Sequence, residues 1–236
     1  MPRPPLPPQP RPGAGAAPGR RPTLSYRKPQ LGRDYWVKDD ILPDAAAVAR
    51  RCFDKADWEL GAPHRAEPWP GMRSAAALTA GELAPVEAWV KQVTGAKRLW
   101  QQATPEGSTL NHNYVQLVGG IESGPRPHTD SLKLCRYAAV IYLSPDPLPA
   151  AGTSFYRLRY PDGALGGNFC SPPHANLREA LGVTSLPPQA WSEDVRVDNR
   201  FNRMLLYRAN LVHSASGYFG CEHEDKRMTA VFFWMA

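Results

Sequence analysis

Residues 203–214 read Arg203-Met204-Leu205-Leu206-Tyr207-Arg208-Ala209-Asn210-Leu211-Val212-His213-Ser214. The apolar run at 204–207 is short, and a histidine follows the last apolar pair. Apolar runs of this length, bounded by polar residues, belong to strands more often than to helices. The same pattern recurs outward from it. Asn111–Val118, Leu134–Leu143, Thr153–Leu158 and Arg227–Trp234 are rich in β-branched or aromatic residues, which suit a pleated, half-buried surface. Clusters of Pro and Gly separate them: Gly119-Gly120, Pro145–Pro149, Gly166-Gly167 and Pro172-Pro173. Residues 160–195 read as an irregular insertion with a short helix at Ala175–Leu181. Two helices precede the strands. Asp44 can cap one at about 44–54, and Thr79 another that runs through Val86 and Val90 to Gly95. Helices followed by many short strands predict an α+β protein whose body is a sandwich or barrel.

The 236 residues are enough for one domain with a sizeable core. Ten of the 26 prolines fall in residues 1–33, together with seven basic residues and no acid. Removing those seven from the 28 basic residues leaves 21 against 22 acids, so the remainder is close to neutral. The basic balance is therefore a property of the tail, and no nucleic-acid partner is expected for the folded domain. Residues 1–33 are expected to be a disordered Pro/Arg-rich tail, because such composition offers little apolar surface to offset ordering entropy. Pro2, Pro5 and Pro8 also carry the P-x-x-P spacing of a polyproline-II ligand. Residues 34–236 form the expected domain. The four cysteines make no C-x-x-C pair, and no apolar run approaches the roughly 20 residues that cross a bilayer. A cytoplasmic protein without a membrane partner is expected.

His128-Thr129-Asp130 carries the strongest chemical signal. In an extended segment, residues two apart face the same side, so an imidazole and a carboxylate can meet one metal. His213, 85 positions later, supplies a third ligand. Two histidines and one carboxylate on one face of an octahedron leave adjacent positions open for a co-substrate and O₂, the arrangement suited to Fe(II) oxygenases. His64, His174 and His223 read as structural or solvated residues, and His112 as a residue near the site.

Around this set, five segments resemble, in order, the Fe(II)/2-oxoglutarate-dependent dioxygenases, in particular the branch related to prolyl 4-hydroxylases. Pro127-His128-Thr129-Asp130 is similar to the first ligand segment, and Tyr137–Ser144 to the strand after it. Gly152-Thr153-Ser154-Phe155-Tyr156 resembles the Gly-Gly-x-x-x-Phe turn, with Ala151 in place of the first Gly. Residues 203–214 resemble the strand pair that delivers the distal histidine. Arg227-Met228-Thr229 resembles the basic residue and hydroxyl that grip 2-oxoglutarate. The 14-residue interval from His213 to Arg227 is longer than usual for the family, and Lys226 is a rival for the basic role.

The resemblance implies a double-stranded β-helix, a jelly-roll or cupin-like barrel with flanking N-terminal helices. It implies Fe(II) held by His128, Asp130 and His213, and 2-oxoglutarate anchored by Arg227 with Thr229 and Tyr142. It further implies O₂ as oxidant, release of succinate and CO₂, and hydroxylation of a small molecule, amino acid or peptide side chain. Asp130 stands where halogenating relatives carry a small residue. Asn113, Tyr114 and Gln116 are candidates to line the cavity. The alternative is a cupin-like metal-dependent isomerase or small-molecule-binding protein, which would lack a carboxylate anchor.

Overall fold

The computed structural model describes residues 24–183 and 185–236. Strands β1 (Tyr35–Lys38), β2 (Glu59–Leu60), β3 (Met72–Ala75), β4 (Tyr114–Val118) and β5 (Tyr137–Tyr142) are followed by β6 (Thr153–Leu158), β7 (Trp191–Val197), β8 (Met204–Arg208), β9 (His213–Ala215) and β10 (Arg227–Trp234). They form a seven-stranded sheet, β1-β8-β5-β10-β4-β3-β2, and a three-stranded sheet, β7-β6-β9. Every pairing is antiparallel. The fold is α+β, with the two sheets arranged as a double-stranded β-helix.

Period-two alternation assigns the faces. On β10, Met228, Ala230, Phe232 and Trp234 belong to the core on the outer side of the large sheet, with Ile141 and Leu206 of its neighbours. Helix α1 (Ala45–Phe53) and helix α2 (Ala80–Thr94) cover that side through Val48, Cys52, Val86 and Val90. Phe233 faces the other way, into the space between the sheets, with Ala138, Leu205 and Tyr207. Phe155 of β6 and Val197 of β7 meet them from the small sheet. Arg227 and Thr229 share parity with Phe233 and therefore face the same interior.

Both long helices begin and end where local chemistry dictates. Asp44 accepts from Ala47 N. Thr79 and Glu82 form a reciprocal capping box, and Gly95 ends α2 in the left-handed conformation that glycine tolerates. The strand expected from residue 111 begins instead at Tyr114. Asn113 adopts a left-handed φ of 58°, and its amide brackets the backbone N–H and C=O of Leu78 at 2.8 Å each. That double bond turns the chain before β4 can start.

The insertion contains more regular structure than its composition implied. Helix α3 (Leu177–Leu181) lies within the expected span, and β7 occupies its last residues. The expected tail is ordered from Leu24 onward. Leu24 is buried against Tyr156, Leu158 and Trp191, Ser25 bridges Phe169, and Arg27 pairs with the fully buried Asp34. One leucine and one arginine give these residues partners on the outside of the small sheet, which composition alone does not reveal. Residues 1–23 of the expected tail lie outside the described residues. Among the described residues no helix is long and apolar enough to cross a membrane.

Candidate active site

His128 and His213 are brought together by main-chain pairing. Each N–H donates to the other's carbonyl, at 3.0 and 2.9 Å, in an isolated antiparallel bridge rather than a full strand. Their ring centroids are 4.5 Å apart. Asp130 is placed two residues on, where its N–H donates to Ala209 O at 3.0 Å. The ligand atoms of His128, Asp130 and His213 lie within 4.8 Å of one another.

The ring orientations have a direct chemical meaning. His128 Nδ1 lies 2.8 Å from Arg126 O, and His213 Nδ1 lies 2.9 Å from Leu211 O. A carbonyl can only accept, so each Nδ1 carries a proton, which leaves Nε2 as the atom available to a metal. Those Nε2 atoms face the carboxylate, at 4.0 Å for His128 and 3.7 Å for His213. Asp130 Oδ2 is buried with no hydrogen-bond partner among the described residues. Burial pushes the Asp130 carboxyl up to about 6, partly offset by the His128 charge. Burial, and then the charge of His128, holds the His213 imidazole well below its ordinary value. Two imidazole Nε2 atoms around an orphaned carboxylate oxygen fit a divalent cation.

Arg227 is buried at the start of β10, with 4% of its surface exposed. Its Nε donates to Ala151 O at 2.7 Å and its NH2 nitrogen to Gly152 O at 3.2 Å. These acceptors directly precede β6, on which Phe155 pairs with His213, so the guanidinium and the histidine approach the same strand. Gly152 is required there, because an added Cβ would lie 1.9 Å from Val197 O. Tyr142 and Tyr218 flank the guanidinium, at 5.5 and 5.6 Å from ring centroid to guanidinium carbon. No carboxylate forms an ion pair with Arg227 among the described residues. The rival Lys226 differs: its Nζ lies 2.8 Å from Glu122 Oε1, which also meets His64 Nε2 at 2.8 Å.

Thr229 is buried beside Arg227 on the same face and is the register partner of both Tyr142 and Gln116. The Tyr142 hydroxyl crosses between the sheets and donates to Thr153 Oγ1 at 2.8 Å. Gln116 donates to Pro70 O at 3.0 Å, and Tyr114 lies 5.7 Å from the Arg73 guanidinium. Both polar atoms of the Asn113 amide are committed to Leu78. His112 contacts the Phe233 main chain at 2.8 Å and packs on Phe232 and Trp234, a structural role at the end of β10. His223, read as solvated, instead packs edge-on against Phe53 and Trp58.

Sequence reasoning did not single out Tyr207. Its ring centroid lies 4.4 Å from that of His213. Burial raises its phenol well above the ordinary value, the Asp130 charge adds to the rise, and Arg227 opposes it. It therefore stands within electrostatic reach of both the three-residue cluster and the arginine. An aromatic at the end of an aliphatic run reads as core. The available signal was its place on the strand before His213, with inward parity.

No family model matches the sequence, and no curated protein matches it. Solved structures do. The non-haem α-ketoglutarate-dependent carbocyclase SnoK from nogalamycin biosynthesis aligns with a TM-score of 0.51 and 13% identity, over 86% of this chain and 80% of its own. The epimerase SnoN, in complex with Fe³⁺, α-ketoglutarate and nogalamycin RO, gives 0.51 and 18%, over 86% and 79%. A Pseudomonas putida prolyl-4-hydroxylase aligns at 0.41 and 12%, over 86% and 92%. These matches do not single out the prolyl 4-hydroxylase branch. At these identities the likeness establishes a shared fold.

Proposed function

We propose that this protein is a non-haem Fe(II)- and 2-oxoglutarate-dependent oxygenase that hydroxylates a small molecule. One observation carries the reading: the buried, unpartnered Asp130 carboxylate oxygen faced by the Nε2 atoms of His128 and His213. These three residues hold the iron. Arg227 pairs with the far carboxylate of 2-oxoglutarate, Thr229 adds a hydroxyl beside it, and Tyr142 supports the guanidinium through its ring. A buried arginine bound only to carbonyls retains N–H groups for an acid, and its planar fork suits a carboxylate. Iron, 2-oxoglutarate and O₂ together supply the oxidising power, with succinate and CO₂ as co-products.

The chain's own contribution is placement. The backbone bridge sets the imidazoles, their carbonyl partners set the tautomers, and burial excludes water from the carboxylate. A cupin-like isomerase or binding protein would leave Arg227 without a ligand, so the oxygenase reading is preferred. The two fold neighbours are named an epimerase and a carbocyclase, so fold alone does not choose the outcome at the substrate. Asp130 supports oxygen insertion over halogenation, because its carboxylate occupies the position a halide would need. The nogalamycin RO bound to SnoN supports a small molecule over a peptide.

The functional test is succinate release across a panel of small molecules. Release that requires both Fe(II) and 2-oxoglutarate, with one oxygen gained by the substrate, is expected. A folded, metal-loaded chain that releases none with any member contradicts the reading.

A further inference from the structure

Beside the 127–131 segment lies a cleft of about 290 Å³, walled by α3 and by residues leading into β7. Its position relative to the candidate ligands is fixed. Leu177 N donates to Thr129 Oγ1 at 2.9 Å, and Leu132 N donates to Ala175 O at 2.8 Å. His128 lines the cleft with 56% of its side chain exposed, whereas the His213 side chain is 5% exposed. Of the three clustered residues, His128 is therefore the one that opens outward.

The wall is mainly apolar, with Leu181, Leu186 and Trp191, and Ser131 adds a hydroxyl. Trp191 is buried, and its indole Nε1 has no acceptor among the described residues. That nitrogen is closed off from solvent, so Trp191 gives the cleft apolar ring surface and no donor. Arg178 stands on the same wall, and no acid lines the cleft. Arg178 is exposed and makes no ion pair with any described residue.

We infer that this cleft is the substrate subsite and takes a small amphipathic anion. The apolar body lies against Leu181, Leu186 and Trp191. The carboxylate, sulfonate or phosphate pairs with Arg178. The apolar surface supplies binding, and Arg178 orients the molecule with one flank toward His128. What then happens to the bound molecule rests on the oxygenase reading; the binding itself does not.

The test uses the full chain without added iron or 2-oxoglutarate, titrated with 4-phenylbutyrate, 4-phenylbutan-1-ol and 4-phenylbutylamine by protein-observed NMR. The carboxylate is expected to bind about tenfold or more tightly than the alcohol and the amine. Arg178→Ala should abolish that preference, and Arg178→Glu should shift it to the amine. Leu181→Trp fills the cleft and should block all three. Arg178 is exposed, so its variants remain informative if the Leu181 variant fails to fold. Equal binding of the three probes by the wild type, or a carboxylate preference that survives Arg178→Ala, overturns the inference. The wild-type iron and 2-oxoglutarate test is separate. A charge-sensitive cleft without that chemistry would sink the oxygenase reading alone, and the reverse result would sink the cleft alone.

Discussion

Thr129 Oγ1 accepts the backbone N–H of Leu177 at 2.9 Å, joining the residue between His128 and Asp130 to the first turn of α3. The threonine is buried, so the bond is shielded from water. The short helix of the insertion is therefore tied directly to the segment that carries the candidate iron ligands. Thr129→Val keeps the shape but leaves the Leu177 N–H without an acceptor, which costs about 1–3 kcal/mol. Thr129→Ser should retain most of the stability and iron affinity that Thr129→Val loses. Denaturant unfolding with parallel iron titration checks this, and equal behaviour of the two variants contradicts it.

Metal affinity should fall in acid, and the sign follows from the groups involved. Burial raises Asp130 to about 6 and holds His213 well below its ordinary value. Near pH 6 His213 is already neutral, while a proton still competes for Asp130. As pH falls below about 6, affinity should drop by about tenfold per unit, one proton per metal bound. A Ni(II) titration from pH 7.5 to 5 reads this directly, and affinity that is flat across that range contradicts it.

Arg227 and Lys226 should separate cleanly. Removing one partner of a desolvated, charge-assisted pair costs on the order of 2–5 kcal/mol. Arg227→Ala should therefore raise the 2-oxoglutarate requirement by tens to thousands-fold and spare metal binding. Lys226 holds Glu122, so Lys226→Ala should lower the melting temperature instead. The opposite assignment of the two phenotypes would shift the anchor by one residue.

The fold was legible where local chemistry agrees with burial. The capping residues Asp44 and Thr79, and the β-branched and aromatic run of β10, mark their elements directly. β7 was not legible. Its sequence, Trp191-Ser192-Glu193-Asp194-Val195-Arg196-Val197, is mostly polar because it lies at the edge of the small sheet. β1 and β9 are too short to carry a period. The cluster around Asp130 was readable because two of its members are two residues apart. The Arg178 cleft was not, because it depends on α3 docking onto a segment 48 residues away.

The N-terminal boundary gives a further prediction. A chain beginning at residue 30 loses Leu24, whose burial is worth about 1.5–3 kcal/mol, and the partner that Arg27 gives to the buried Asp34. It should melt several degrees below a chain beginning at residue 24. Identical melting of the two would mean that Leu24–Pro29 adds nothing to the domain.

The central claim is that His128, Asp130 and His213 hold iron while Arg227 holds 2-oxoglutarate against it. The most direct measurement is the anaerobic visible absorption spectrum of the full chain during stepwise addition of Fe(II) and 2-oxoglutarate. A metal-to-ligand charge-transfer band that requires both additions is expected. His213→Ala should abolish it at every concentration, and Arg227→Ala should restore it only at much higher 2-oxoglutarate. A folded wild-type chain that binds the metal and shows no such band contradicts the account.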